Sequence, residues 1–128
     1  MKGTTMHVTL PTDCGNAPRI DIVGQFAVHW AKGDTDFLQE WLTDGAHWDV
    51  IGRATLTADA SLTEVIPPMT PERVEVISVI THGRLASCDG YIEAGSRRIS
   101  FSHVFRFAST AKTSKIAELR SYWIESPN

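Results

Sequence analysis

The chain has little of the material from which several protein classes are built. Its two cysteines, Cys14 and Cys88, stand far apart in 128 residues, so the sequence offers neither a disulfide framework nor a paired-thiol motif. Basic residues form no run beyond Arg97-Arg98, and the formal net charge is -3, which provides no electropositive face for nucleic acid. No apolar stretch approaches the roughly 20 residues of a membrane span. The opening Met1-Lys2-Gly3-Thr4-Thr5-Met6-His7 lacks the apolar core of a signal peptide. The five histidines and two cysteines fall into no H-x-H, H-E-x-x-H or C-x-x-C spacing. These absences predict a cytoplasmic protein with reduced thiols, no metal, no cofactor, and no nucleic-acid or membrane partner.

What is present suits one globular domain over residues 1–128, with residues 1–13 as a loose lead-in that contains one short alternation, His7-Val8-Thr9-Leu10. A chain of this size buries about two thirds of its unfolded surface and needs no staple. Asn16 is the expected cap of a first helix, with Pro18 in its first turn, where a missing N–H costs nothing. Ile20, Val23, Ala27, Trp30 and Ala31, widened by Ile22 and Phe26, repeat at three and four residues and give that helix one buried stripe to about Lys32. Gly33 is placed to end it and Asp34 to cap a second helix, with Phe37, Leu38, Trp41 and Leu42 on one side, which Thr43-Asp44-Gly45 would end. Ala46 to Ile51 alternates as a strand, with Trp48 and Val50 on one face and His47 and Asp49 on the other. Thr57 to Ile66 reads as a short third helix stopped by Pro67-Pro68. Strands are then expected at 73–82, 85–93, 97–107 and 116–124, turning at Gly83, Gly95 and the polar stretch 109–114.

The order helix, helix, strand, short helix, four-strand meander resembles the NTF2-like superfamily, which includes the SnoaL-like proteins and ketosteroid isomerase. Ala31-Lys32-Gly33-Asp34-Thr35-Asp36-Phe37 resembles the joint between that superfamily's first helices, and Trp48-Asp49-Val50-Ile51-Gly52 its first long strand. His103-Val104-Phe105-Arg106-Phe107 with Ile116 to Trp123 resembles its last hairpin, and Asp13-Cys14-Gly15-Asn16-Ala17-Pro18 is similar to the start of some uncharacterised bacterial members. The resemblance covers residues 14–124. It implies an α+β, cystatin-like cone in which a curved antiparallel sheet wraps about three N-terminal helices. Because the superfamily hosts isomerases, hydrolases, cyclases, dehydratases and binding modules, it implies no particular reaction.

A steroid-isomerase site needs a carboxylate base and two donors at the developing enolate, as in the well-studied ketosteroid isomerase. The resemblance places the base on Val50, the tyrosine on Phe26 and the protonated acid on His103, so that chemistry is not expected. His103 remains as the polar candidate for acid or base. Period-two alternation puts it on one face with Phe101 and Phe105, where desolvation favours a neutral imidazole. A core histidine satisfied by a hydroxyl, a carbonyl or a water is the competing reading. The implied ligand wall is Phe26, Trp48, Val50, Phe101, Phe105, Ser121 and Trp123, with Tyr91 or Ser121 as assistants to His103. Two functions follow: a binder of, or enzyme for, a small and mainly apolar molecule, or an interaction module whose interior is filled by its own side chains. His47 with Asp49 reads as a solvated strand face, His29 as packed, and His82 as an exposed turn residue. Cys14, before a helix, and Cys88, in a strand among small residues, read as packing thiols, although a helix N-terminus is also the setting of a reactive cysteine. An outward row of Arg120, Tyr122 and Ile124 is the composition of a partner surface, and superfamily members commonly pair sheet to sheet, so a homodimer is expected.

Overall fold

The computed structural model describes residues 6–12, 17–56 and 61–127. Helix α1 (Pro18–Lys32) buries Val23, Phe26, Ala27, Trp30 and Ala31, the stripe that its spacing predicts. Its expected cap, Asn16, lies outside the described residues. The N-cap position is Ala17, which offers no side-chain hydrogen bond, and Pro18 occupies the first turn. Gly33 ends the helix in the left-handed conformation at φ 73, which a side chain disfavours, and its N–H bonds back to the last turn. Asp34 then caps α2 (Thr35–Trp41) by accepting from the Phe37 N–H. The imidazole of His29 stacks on Phe37 at 3.8 Å and bonds Asp34 Oδ2 through Nδ1 at 2.9 Å, which locks the corner between the helices.

Among the described residues seven strands form one sheet in the order β1-β4-β5-β6-β7-β2-β3. They are β1 (His7–Thr9), β2 (Leu42–Val50), β3 (Ala54–Leu56), β4 (Arg73–His82), β5 (Leu85–Ala94), β6 (Arg97–Phe107) and β7 (Ile116–Pro127). The sheet is mixed, not antiparallel as expected. β4 to β7 form the antiparallel meander, but β1 runs parallel to β4 and β2 runs parallel to β7. Among the described residues two α-helices, not three, pack against it. Of the expected third helix, residues 57–60 lie outside the described set, and Leu62–Glu64 form one 3₁₀ turn capped by Ser61. That turn is held by tertiary bonding, because Trp30 Nε1 donates to the Val65 carbonyl at 2.7 Å. α2 ends at Trp41, earlier than its sequence signal, because Leu42 joins the sheet opposite Ile116.

Helix α1 lies across the inner face of β4 and β5. The inward residues of β5 there are small, Ala86, Cys88 and Gly90, and they allow close approach. Gly90 faces a register shift in β4 between Val76 and Ser78, and a Cβ at this position would stand 1.9 Å from the Glu75 carbonyl oxygen. The inner face of β6 and β7 carries the larger Ile99, Phe101, His103, Phe105, Leu119, Ser121 and Trp123, all buried. At the other end, the Arg19 guanidinium stacks over Phe107 at 3.8 Å and donates to the carbonyls of Ser109 and Ala111, tying α1 to the β6–β7 connection.

Candidate functional site

His103 sits in the middle of β6 with no solvent exposure. Strand alternation places Phe101 and Phe105 beside it, with ring centroids 5.1 and 6.1 Å away. Trp30 of α1 closes over it, edge to face, at 4.4 Å. Register places Ser121 of β7 directly opposite, and His103 Nδ1 lies 2.6 Å from Ser121 Oγ. The same oxygen accepts from Trp48 Nε1 at 2.9 Å, which the parallel pairing of β2 with β7 brings into reach. Burial pushes the imidazole pKa down to about 3, so His103 is neutral across the physiological range. Two buried polar atoms have no partner here among the described residues, His103 Nε2 and Trp123 Nε1.

The structure brings most of the expected wall together. Phe26 packs on Trp48 at 5.7 Å and on Phe105 at 5.6 Å, and Val50 is buried opposite Ser121. Trp123 lies 5.5 Å from Trp30 at the edge of this group. At the level of His103, Phe26 and Trp30 of α1 face the sheet, both without solvent exposure. Tyr91 corrects the expectation of an assistant. It lies on the opposite face of β5 from Cys88 and Gly90, its hydroxyl donates to Glu75 at 2.7 Å, and Arg98 stacks on its ring at 3.9 Å. Ser121 does reach His103. His47 is exposed, and Asp49 accepts from Thr55 Oγ1 on the outer face. Cys14 lies outside the described residues.

Three neighbours were not expected. Trp30 is the helix side chain nearest the imidazole, and its spacing of four from Phe26 on the buried stripe was the available signal. Arg53, in the turn after β2, stands over the Trp123 ring at 5.0 Å, and nothing in the sequence marks it. Cys88 is paired with His103 across β5 and β6. A cysteine beside a histidine suggests a nucleophile, but burial, with the neighbouring Asp89 charge, pushes the thiol pKa up, so no thiolate is available. Among the described residues no group of three or more His, Cys, Asp or Glu side chains is arranged to hold a metal ion, and no helix is long and apolar enough to cross a membrane. One open cleft of about 430 Å³ lies between Leu10, Pro11, the start of α1 and Val79, and none of its lining residues belongs to the His103 group.

No protein-family model matches the sequence, and no curated protein matches it. Solved structures do match in shape. An NTF2-like protein of unknown function from Burkholderia xenovorans LB400 superposes with a TM-score of 0.63 over 87% of this chain and 88% of its own, at 18% identity. A de novo designed protein with a curved β-sheet gives 0.64 over 82% and 83%, at 19% identity. An LEH-like epoxide hydrolase from M. tuberculosis gives 0.57 over 84% and 83%, at 18% identity. The chain therefore has the NTF2-like fold. A frame shared by a protein titled an epoxide hydrolase and a designed protein does not by itself assign a function.

Proposed function

We propose that the protein binds a small, mainly apolar molecule between the inner face of the sheet and α1, with His103 as its polar contact. The observation that carries this reading is the pair of buried polar atoms without partners, His103 Nε2 and Trp123 Nε1, on one inward face. Leaving a buried polar group unsatisfied costs about 1–3 kcal/mol, and a ligand atom bonded to it recovers that cost. Phe26, Trp48, Val50, Phe101 and Phe105 supply an apolar wall, and Trp123, 9% exposed beside Arg53, marks the side nearest solvent. Ser121 orients His103 and does not itself face the ligand. An acid or base role for His103 would be that of a neutral imidazole.

The outer sheet face supports a second reading, homodimerisation in the cytoplasm, with or without a ligand inside. Tyr122 and Ile124 are 40% and 72% exposed on β7, beside exposed Arg120, and Ile80 and Leu85 are exposed on the same face of β4 and β5, with Ser87, Asp89 and Ser102 between the two groups. Exposed apolar side chains on one sheet face suit a sheet-to-sheet contact. Native mass spectrometry of freshly purified protein, followed by incubation with small aromatic ketones, tests both readings. The expected spectrum is a dimer with a bound small molecule that His103→Ala loses. A wild-type spectrum without ligand after incubation ends the first reading, and a monomer ends the second.

A further inference from the structure

We propose that Arg53 sets the charge specificity of the site, and that the molecule bound there is an organic acid whose single carboxylate is held by the Arg53 guanidinium at the rim of the inner face. This rests on the binding reading above and adds to it the charge of the ligand and the residue that selects for it.

Strand parity carries the inner face from His103 to its open end. On β6 it runs His103, Phe101, Ile99, Arg97, and on β7 Ser121, Trp123, Glu125. All but the last of each row are buried; Arg97 and Glu125 are exposed. The face therefore changes from apolar to charged just beyond Trp123, the least buried ring of the wall. Arg53 stands at that boundary, its guanidinium 5.0 Å from the centre of the Trp123 ring. The turn that carries it is tied to the wall on both sides. The Ile51 N–H donates to the Ser121 carbonyl at 2.9 Å, and the Arg53 N–H donates to the Val50 carbonyl at 2.9 Å. The backbone under Arg53 is thus fixed, while its exposed side chain lies over the ring that a ligand entering from solvent meets first.

The neighbouring carboxylate does not neutralise this cation by contact. Arg97 Nε donates to Glu125 Oε2 at 2.7 Å and Arg97 Nη2 donates to Oε1 at 2.9 Å, so both oxygens of Glu125 are engaged. Arg53 forms no ion pair among the described residues. A guanidinium over an aromatic ring keeps its planar N–H fork free at the edge, and a carboxylate matches that fork with two oxygens. The ring also shields one side of the contact from water, which an ordinary surface ion pair lacks. Because the same ring is the outer edge of the apolar wall, one molecule can lay an apolar body along the wall and its acid group on Arg53. Residues two apart on a strand stand about 7 Å from each other, a step that a short carbon chain spans. A neutral ligand gains nothing from Arg53, and a cationic one is repelled.

The test is calorimetric titration of the protein with 3-phenylpropionate and with 3-phenylpropanamide, which has the same shape and no charge. The acid should bind the wild type at least about tenfold tighter than the amide, and added salt should narrow the difference. Arg53→Gln should weaken the acid to the affinity of the amide and leave the amide unchanged, a selective loss that a merely structural role for Arg53 would not produce. Arg53→Lys, which keeps the charge and loses the fork, should keep part of the preference. Equal binding of acid and amide by the wild type overturns the anion assignment while the binding reading stands. A preference for the acid that survives in Arg53→Gln overturns Arg53 as its source. Acetate binding as tightly as 3-phenylpropionate would show a surface anion contact with no apolar body on the wall, and overturns the specificity role. Binding of neither probe overturns the anion assignment and the binding reading together.

Discussion

Acid should destabilise this protein through His103. An ordinary histidine takes up a proton near pH 6.5, and the unfolded chain behaves in that way at this position. In the folded protein burial holds the same group neutral down to about 3. Between these values the unfolded state binds one more proton than the native state, so stability falls as pH falls; above the upper value the contribution is fully present. Each pH unit inside the window is worth about 1.4 kcal/mol, so lowering the pH from neutral to about 4.5 removes about 3 kcal/mol from a domain whose total is expected near 5–15 kcal/mol. Asp34 and Glu125 contribute mainly at lower pH. Hydrogen bonds from His29 and the Phe37 N–H to Asp34, and from Arg97 to Glu125, hold those carboxyls below their usual range, so their losses belong to the acid end. The assay is urea denaturation at a series of pH values for the wild type and for His103→Asn, which cannot titrate. The difference between the two curves should change by about 3 kcal/mol between neutral pH and about 4.5, following the linkage relation. Parallel curves would refute a buried neutral imidazole at this position.

Three further outcomes follow from particular contacts. Gly90→Ala puts a Cβ against the Glu75 carbonyl, where the backbone must move, and should cost about 3 kcal/mol in chemical denaturation; a stability within experimental error of the wild type would show that the bulge in β4 is not tight. Cys88 is buried and its thiol pKa is raised, so alkylation at this site, mapped by peptide mass, should proceed only at the rate of unfolding. Rapid native labelling of Cys88 would mean that the β5–β6 interior opens. Ile124→Glu places a charge at the most exposed apolar side chain of the outer face and should convert a dimer to a monomer in sedimentation equilibrium without lowering the midpoint of monomer unfolding; an unchanged dimer would move the interface elsewhere.

Much of the frame was legible because its signals are local. The tight turns at Gly83 and Gly95 and the period-two alternation between them mark β4, β5 and β6 nearly to the residue. Gly33 followed by Asp34 announces both the end of one helix and the start of the next. Phe101, His103 and Phe105 share a face by parity alone, and so do Leu119, Ser121 and Trp123. The parallel partnerships of β1 with β4 and β2 with β7 were not legible, because strands paired over such separations leave no turn between them to read. Tyr91 was misplaced because an aromatic in a strand suggests the core, whereas the inward position beside it is Gly90, kept small by the Glu75 carbonyl.

The amino-acid sequence alone determined that the chain would form helices followed by a meander and that His103 would share one face of the strand at 97–107 with Phe101 and Phe105, since steric periodicity depends only on neighbours in the chain. The partners of that imidazole were decided by tertiary structure. The parallel seating of β2 beside β7 brings the Trp48 N–H to Ser121, and the rotation of α1 lays Trp30 over the ring. Those contacts join residues tens of positions apart, and only the packing of the whole sheet against the helix sets the distances that make His103 neutral and its outer nitrogen available.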